Sequence, residues 1–108
     1  MPIYAITYEH PDEAGWRTHL MPHIGWLQDQ LAAGALLASG PLTDTVAKSA
    51  MLVMAAADRD MLDQLIATDP FAIEGLIENM TVREWDPIFG AFNDRSTMPG
   101  QLQQRQGV

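Results

Sequence analysis

Two side chains, His23 and Asp69, are the strongest candidates for chemistry in this chain, and they stand 46 residues apart. An imidazole has a reference pKa of about 6.5, close to working pH, so a histidine can take or give a proton during a reaction. A carboxylate beside it would fix its tautomer and hold its ring in place. Only tertiary structure can make the two a pair. Read singly, His23 could be a satisfied histidine at the core margin. Asp69-Pro70 is also what a helix N-cap followed by a first-position proline looks like. The two readings of Asp69 are compatible if one oxygen caps while the other holds the imidazole.

Other residue types add less. Ser39, in Ser39-Gly40-Pro41-Leu42, could hydrogen-bond a substrate at a strand end, but no G-x-S-x-G elbow surrounds it to make a nucleophile. Gly40-Pro41 reads as the turn that opens a cleft. Trp26, Phe71 and Trp85 read first as core or interface residues and second as a stacking wall for an aromatic ligand. His19 and His23 have the i, i+4 spacing of helical metal ligands, with His10, Glu9 and Asp12 upstream. Pro22 disturbs the helix between them and no HExxH-type motif supplies a third ligand, so no metal is assigned. The chain has no glycine-rich phosphate loop or dinucleotide fingerprint, and no cofactor is indicated.

The composition narrows the partners. The 108 residues carry 14 acidic and six basic side chains, one of the latter a lysine, for a net charge of −8. Such a surface repels phosphate backbones and anionic lipid, so nucleic acid is not expected as a partner. No stretch approaches the roughly 18 apolar residues needed to span a bilayer. There is no cysteine, which removes disulfides and thiolate catalysis. The N-terminus runs into a strand pattern without a basic region or apolar signal core, and the expected location is cytoplasmic.

The elements that must position these residues follow from periodicity. Ile3 to Tyr8 reads as a strand and Glu9 to Gly15 as a loop. Trp16, Leu20, Ile24, Leu27 and Leu31 form one helical stripe. Pro22 suggests that the main helix begins there, which would put His23 in its first turn, and Gly34 ends it. Ala35 to Ser39 is a short strand, and Ala50 to Ala56 is a strand apolar on both faces. Asp58 or Asp60 caps a second helix, with Met61, Leu62, Leu65 and Ile66 on one side, and Asp69-Pro70 breaks it. Gly75 to Trp85 reads as the final strand. The order β-α-β-β-α-β is that of a ferredoxin-like α+β fold, with a four-stranded antiparallel sheet carrying two helices on one face. The uncovered face suggests a second copy of the chain. Residues 1–92 make the expected domain; 93–108, Gln-rich and poor in large apolar residues, reads as a mobile tail.

With these residues placed, the chain resembles the YCII-related (YciI-like) proteins of the dimeric α/β-barrel group. The resemblance rests on His23-Ile24-Gly25-Trp26-Leu27, Ala33-Gly34, Ser39-Gly40-Pro41-Leu42, Asp69-Pro70-Phe71, Gly75-Leu76 and Arg83-Glu84-Trp85, in that order. It implies a dimer with facing sheets and an active site in which His23 and Asp69 pair near the first helix. It also implies cofactor-free chemistry such as dehydrochlorination or lactone isomerisation. Members often carry an arginine one turn before the histidine. Here that position is Leu20, with Arg17 further back.

Three functions compete at this level. The first is a small cofactor-independent lyase or isomerase, in which His23 and Asp69 move a proton on a cyclic substrate held near Ser39, Gly40, Pro41, Phe71 and Trp26. The second is a non-catalytic module that binds a small molecule in the same cleft. The third is a structural subunit using its sheet face for assembly alone. The distance between His23 and Asp69, and the presence of a cleft beside His23, separate them.

Overall fold

The computed structural model describes residues 1–100. In order along the chain come β1 (Ile3–Glu9), α1 (Glu13–Ala32), β2 (Leu36–Leu42), β3 (Ser49–Ala55), α2 (Arg59–Ile66), α3 (Pro70–Ile73) and β4 (Glu78–Trp85). A 3-10 turn at Asn93–Arg95 follows. The strands form one antiparallel sheet in the order β2-β3-β1-β4. This is the ferredoxin-like α+β arrangement expected from the sequence, with a single extra helical turn, α3.

Alternation along the strands sorts the core. Tyr4, Ile6 and Tyr8 of β1 and Leu52 and Met54 of β3 join Trp26 of α1 and Leu62 and Ile66 of α2 in one buried cluster. Ile3, Val53 and Ala55 form a smaller cluster with Leu37 on the opposite face. Met51 and Trp85, which the registers assign to that second face, are 37% and 40% exposed. The helices therefore cover one side of the sheet and leave an apolar strip on the other.

Four local expectations are corrected. Helix α1 starts at Glu13, nine residues before Pro22, so His23 lies mid-helix rather than in a first turn. Asp12 sets that start by accepting from Gly15 N–H at 3.0 Å. Gly15, expected in a loop, lies in the helix, where a Cβ would come within 2.5 Å of Leu76 Cδ2 and glycine is therefore favoured. Pro22 forfeits an i→i−4 bond, a cost of about 3 kcal/mol in a helix interior. Burial of the stripe on either side of it offsets that cost. Second, Gly40 and Pro41 do not form a turn but run within β2, paired with Met51 and Ala50. Proline is tolerated there because β2 is an edge strand. Third, the final strand begins at Glu78, since Pro70–Ile73 close a helical turn and Gly75, at φ +68°, reverses the chain.

Fourth, the polar stretch from 93 begins with an ordered turn. Asn93 is buried, its amide donates to the carbonyls of Ile88 and Met98, and Gly100 N–H returns to its Oδ1. Asp86 accepts from both the backbone and the hydroxyl of Thr97. The remainder of the expected tail, 101–108, lies outside the described residues.

Candidate active site

Helix α1 presents His23 to the sheet, 6% exposed, on the stripe that carries Trp16, Leu20 and Leu27. Asp69 arrives from the turn after α2 and is 1% exposed. Its Oδ1 lies 2.8 Å from His23 Nδ1 and its Oδ2 lies 3.0 Å away. The same Oδ1 accepts from Phe71 N–H at 3.0 Å, so Asp69 caps α3 while it holds the imidazole. The two roles, expected to be compatible with one oxygen for each, both fall on Oδ1, with Oδ2 also within reach of the imidazole. Phe71, also 1% exposed, lies against the imidazole with centroids 4.0 Å apart and planes 14° from parallel. The ring is thus fixed by a carboxylate at one edge and an aromatic plate on one face.

The tautomer follows from the partner. A carboxylate only accepts, so neutral His23 carries its proton on Nδ1, and Nε2 keeps its lone pair. Nε2 makes no hydrogen bond among the described residues. Tyr8 Oη is the one fully buried side-chain nitrogen or oxygen there without a partner, so Nε2 is open to the cleft beside it.

That cleft has a volume of about 300 Å³. Ser39, Gly40 and Pro41 of β2 form one wall, with Ser49 and Ala50 of β3 beside them. Phe71, Trp16 and Leu20 supply apolar surface. Of the sequence-predicted site residues, His23, Ser39, Gly40, Pro41 and Phe71 therefore converge. Asp69 stands directly behind His23. Trp26 does not line this cleft: it is 8% exposed in the core, and its indole N–H donates to Thr68 Oγ1 at 2.8 Å. His19 points elsewhere, with its Nε2 3.8 Å from Glu74. Among the described residues, no group of three or more His, Cys, Asp or Glu is placed to hold a metal ion.

Two residues were not foreseen as part of the cleft, His10, weighed only as a possible metal ligand, and Lys48. His10 is 2% exposed and lines the cleft. Its Nδ1 donates to the Leu76 carbonyl at 3.3 Å, which leaves Nε2 as an acceptor. Burial is the main cause that lowers its pKa; the charges of His23 and Lys48 act in the same direction, and the Leu76 hydrogen bond and Asp69 oppose them. The signal for it was the alternation Tyr4, Ile6, Tyr8, His10, which carries the helix-side face one residue beyond β1. The second is Lys48, whose Nζ lies 4.1 Å from the centroid of the Trp16 ring. Its backbone carbonyl accepts from His10 N–H at 2.7 Å, extending the β1–β3 ladder by one rung.

Comparison with known proteins bears on the family and the fold. The model of the YCII-related domain matches residues 1–86. The chain belongs to that family. Among solved structures, the dehydrochlorinase of 5-chloro-2-hydroxyhydroquinone from Burkholderia phenoliruptrix AC1100, in complex with 2,5-dihydroxybenzoquinone, superposes with a TM-score of 0.66 at 20% identity. The match covers 78% of this chain and 93% of that one. An antibiotic biosynthesis monooxygenase superposes with a TM-score of 0.51 at 16% identity, over 78% of this chain and 96% of that one. At these identities the likeness is one of fold. No curated protein matches the sequence. No described helix is long and apolar enough to cross a membrane.

Proposed function

We propose that this YCII-related protein is a small cofactor-independent enzyme in which His23 Nε2 takes a proton from a cyclic, oxygenated substrate and returns it elsewhere. The outcome is an elimination, isomerisation or dehydration. The observation that carries the reading is the 2.8 Å contact between His23 Nδ1 and Asp69, which leaves the other ring nitrogen free beside a cleft. Asp69 orients the ring and balances the charge it gains on taking the proton. Preorganised acid–base groups of this sort contribute about 10²–10⁴-fold to a rate. Ser39 supplies a hydroxyl to a substrate oxygen, and Gly40, Pro41 and Phe71 shape the site. The dehydrochlorinase neighbour supports the class of substrate: a hydroxylated six-membered ring fits a cleft of about 300 Å³. The open sheet face belongs to a homodimer in this reading.

The test is turnover of 5-chloro-2-hydroxyhydroquinone, read as chloride release, and of muconolactone, read as isomerisation, by wild type and by His23→Gln. Wild type is expected to turn over at least one, and folded His23→Gln neither. Activity that survives His23→Gln sinks the mechanism. Binding of these rings by wild type without turnover favours the non-catalytic binding module instead.

A further inference from the structure

Lys48 is the one lysine among 108 residues that carry a net charge of −8. In such a chain a lysine should have its choice of carboxylates, yet no Asp or Glu among the described residues lies within ion-pair distance of it. The four recorded ion pairs join Arg17 to Glu13, His19 to Glu74, His23 to Asp69 and Arg59 to Asp63. The carboxylates at the end of β1 are engaged elsewhere: Glu9 accepts from Asn79 at 2.9 Å, and Asp12 accepts from Gly15 N–H. The ammonium rests instead over the face of Trp16, 4.1 Å from its centroid. A π face attracts a cation without neutralising it. The charge is therefore held in place but left uncompensated, and both Lys48 and Trp16 line the same cleft as His23.

We propose that this cleft takes a small monocyclic organic anion, with the Lys48 ammonium as counter-charge for its anionic oxygen. This rests on the proposed acid–base role of His23 and names the substrate class for it. No Asp or Glu among the described residues lines the cleft, and Asp69, behind His23, is already shared between the imidazole and the α3 cap. His10, whose backbone N–H donates to the Lys48 carbonyl at 2.7 Å, lines the same cleft, so the lysine is anchored beside the acid–base pair. The position one turn before His23 is Leu20, an uncharged residue that lines the cleft. Lys48 supplies from the sheet side the positive charge that helix α1 lacks there. The general acidity of the surface does not cancel this, because exposed charges are screened over about 8 Å at physiological salt.

The test uses two rings of the same shape and different charge, 4-hydroxybenzoate and 4-hydroxybenzamide, titrated calorimetrically into the intact protein. Wild type is expected to prefer the carboxylate by about ten- to hundred-fold, the range of one charge-assisted hydrogen bond in a half-open site. The preference should shrink as sodium chloride is raised. Lys48→Met keeps an unbranched stem over Trp16 and should abolish the preference, while Lys48→Arg should retain it. Equal binding of the two rings, binding of neither, or a preference that survives Lys48→Met overturns the proposal. Should Lys48→Met fail to fold, the salt dependence of the wild-type preference decides, and a preference indifferent to salt counts against it. The acid–base reading stands or falls separately, because His23→Gln should lose turnover while keeping the preference for the benzoate.

Discussion

Replacing Asp69 by asparagine separates the two jobs of this carboxylate. Asparagine caps helices as well as aspartate does, so its oxygen can still accept from Phe71 N–H, now at 3.0 Å. That oxygen stays near His23 Nδ1, 2.8 Å away in the wild type, but the amide nitrogen takes the place of Oδ2, 3.0 Å from the same ring nitrogen, and an N–H of asparagine cannot meet the imidazole Nδ1–H. The ring resolves the conflict by moving its proton to Nε2, so that Nδ1 accepts from the amide. In stability, this exchanges a charge-assisted bond for a neutral one, a loss of about 1 kcal/mol. In function the loss is far larger, because the lone pair that should face the substrate now carries a hydrogen. The corresponding change in a serine-protease triad lowers kcat by about 10⁴. Alanine behaves differently. It removes the cap, worth about 1 kcal/mol, and leaves a buried imidazole donor unpaired, about 1–3 kcal/mol more. That is a large share of the roughly 5–15 kcal/mol available to a domain of this size. The assay is ¹⁵N NMR of the His23 ring together with thermal melts of both variants. Asp69→Asn should show a protonated Nε2 and a melting temperature near that of wild type, and Asp69→Ala a marked drop. A ring still protonated on Nδ1 in Asp69→Asn, with turnover within tenfold of wild type, would refute the reasoning.

Three further outcomes are expected. The apolar strip of Ile3, Val53, Ala55, Met51 and Trp85 should bury against a second copy, with an obligate interface of about 2,000 Å² or more. Sedimentation should give a dimer at micromolar concentration and a monomer for Trp85→Glu, whereas a monomeric wild type contradicts the assignment. His10 binds its proton more weakly folded than unfolded, so its contribution to stability is intact above about pH 6.5 and is lost as pH falls below that value. Melting temperatures between pH 7.5 and 5.5 should therefore fall more steeply for wild type than for His10→Gln, and identical slopes would remove His10 as the cause. Tyr8 Oη is buried without a hydrogen-bond partner among the described residues, and burial, followed by the charge of Asp69, raises its pKa. Tyr8→Phe should consequently be neutral or stabilising by about 1 kcal/mol. A destabilisation of 2 kcal/mol in a denaturant titration would show that the hydroxyl is paired in solution.

The element order and the helix-side core were legible because each strand and helix carries its own period. Tyr4, Ile6 and Tyr8 alternate, and Met61, Leu62, Leu65 and Ile66 step around a helix. Where a local signal had two uses, it misled. Pro22 is as compatible with a helix interior as with a helix start, and the apolar stripe from Trp16 onward was the better guide to where α1 begins. Gly40-Pro41 has turn composition, yet proline also suits an edge strand, and edge position is a property of the whole sheet. The register that pairs Pro41 with Ala50 cannot be read from residues 40 and 41.

The site shows the same division from another side. His23 and Asp69 could be named from residue type and local context, but their 2.8 Å contact depends on α3, a four-residue helix too short to leave a periodic signal. That helix matters chemically. It gives Asp69 a backbone donor that fixes the carboxylate, and it lays Phe71 flat against the imidazole. Trp26, beside His23 in the motif that carries the family resemblance, was drawn toward the cleft by proximity in sequence. Three residues along a helix amount to nearly a full turn, yet Trp26 has Thr68 within hydrogen-bonding reach and spends its indole N–H there. His10 and Lys48 went the other way. Neither has a motif around it, and each becomes a site residue only because the β1–β3 ladder runs one rung past its strands and brings both to the mouth of the cleft. Chemistry at this site therefore depends on strand ends and a single helical turn, and those are the features that periodicity in a sequence reports least.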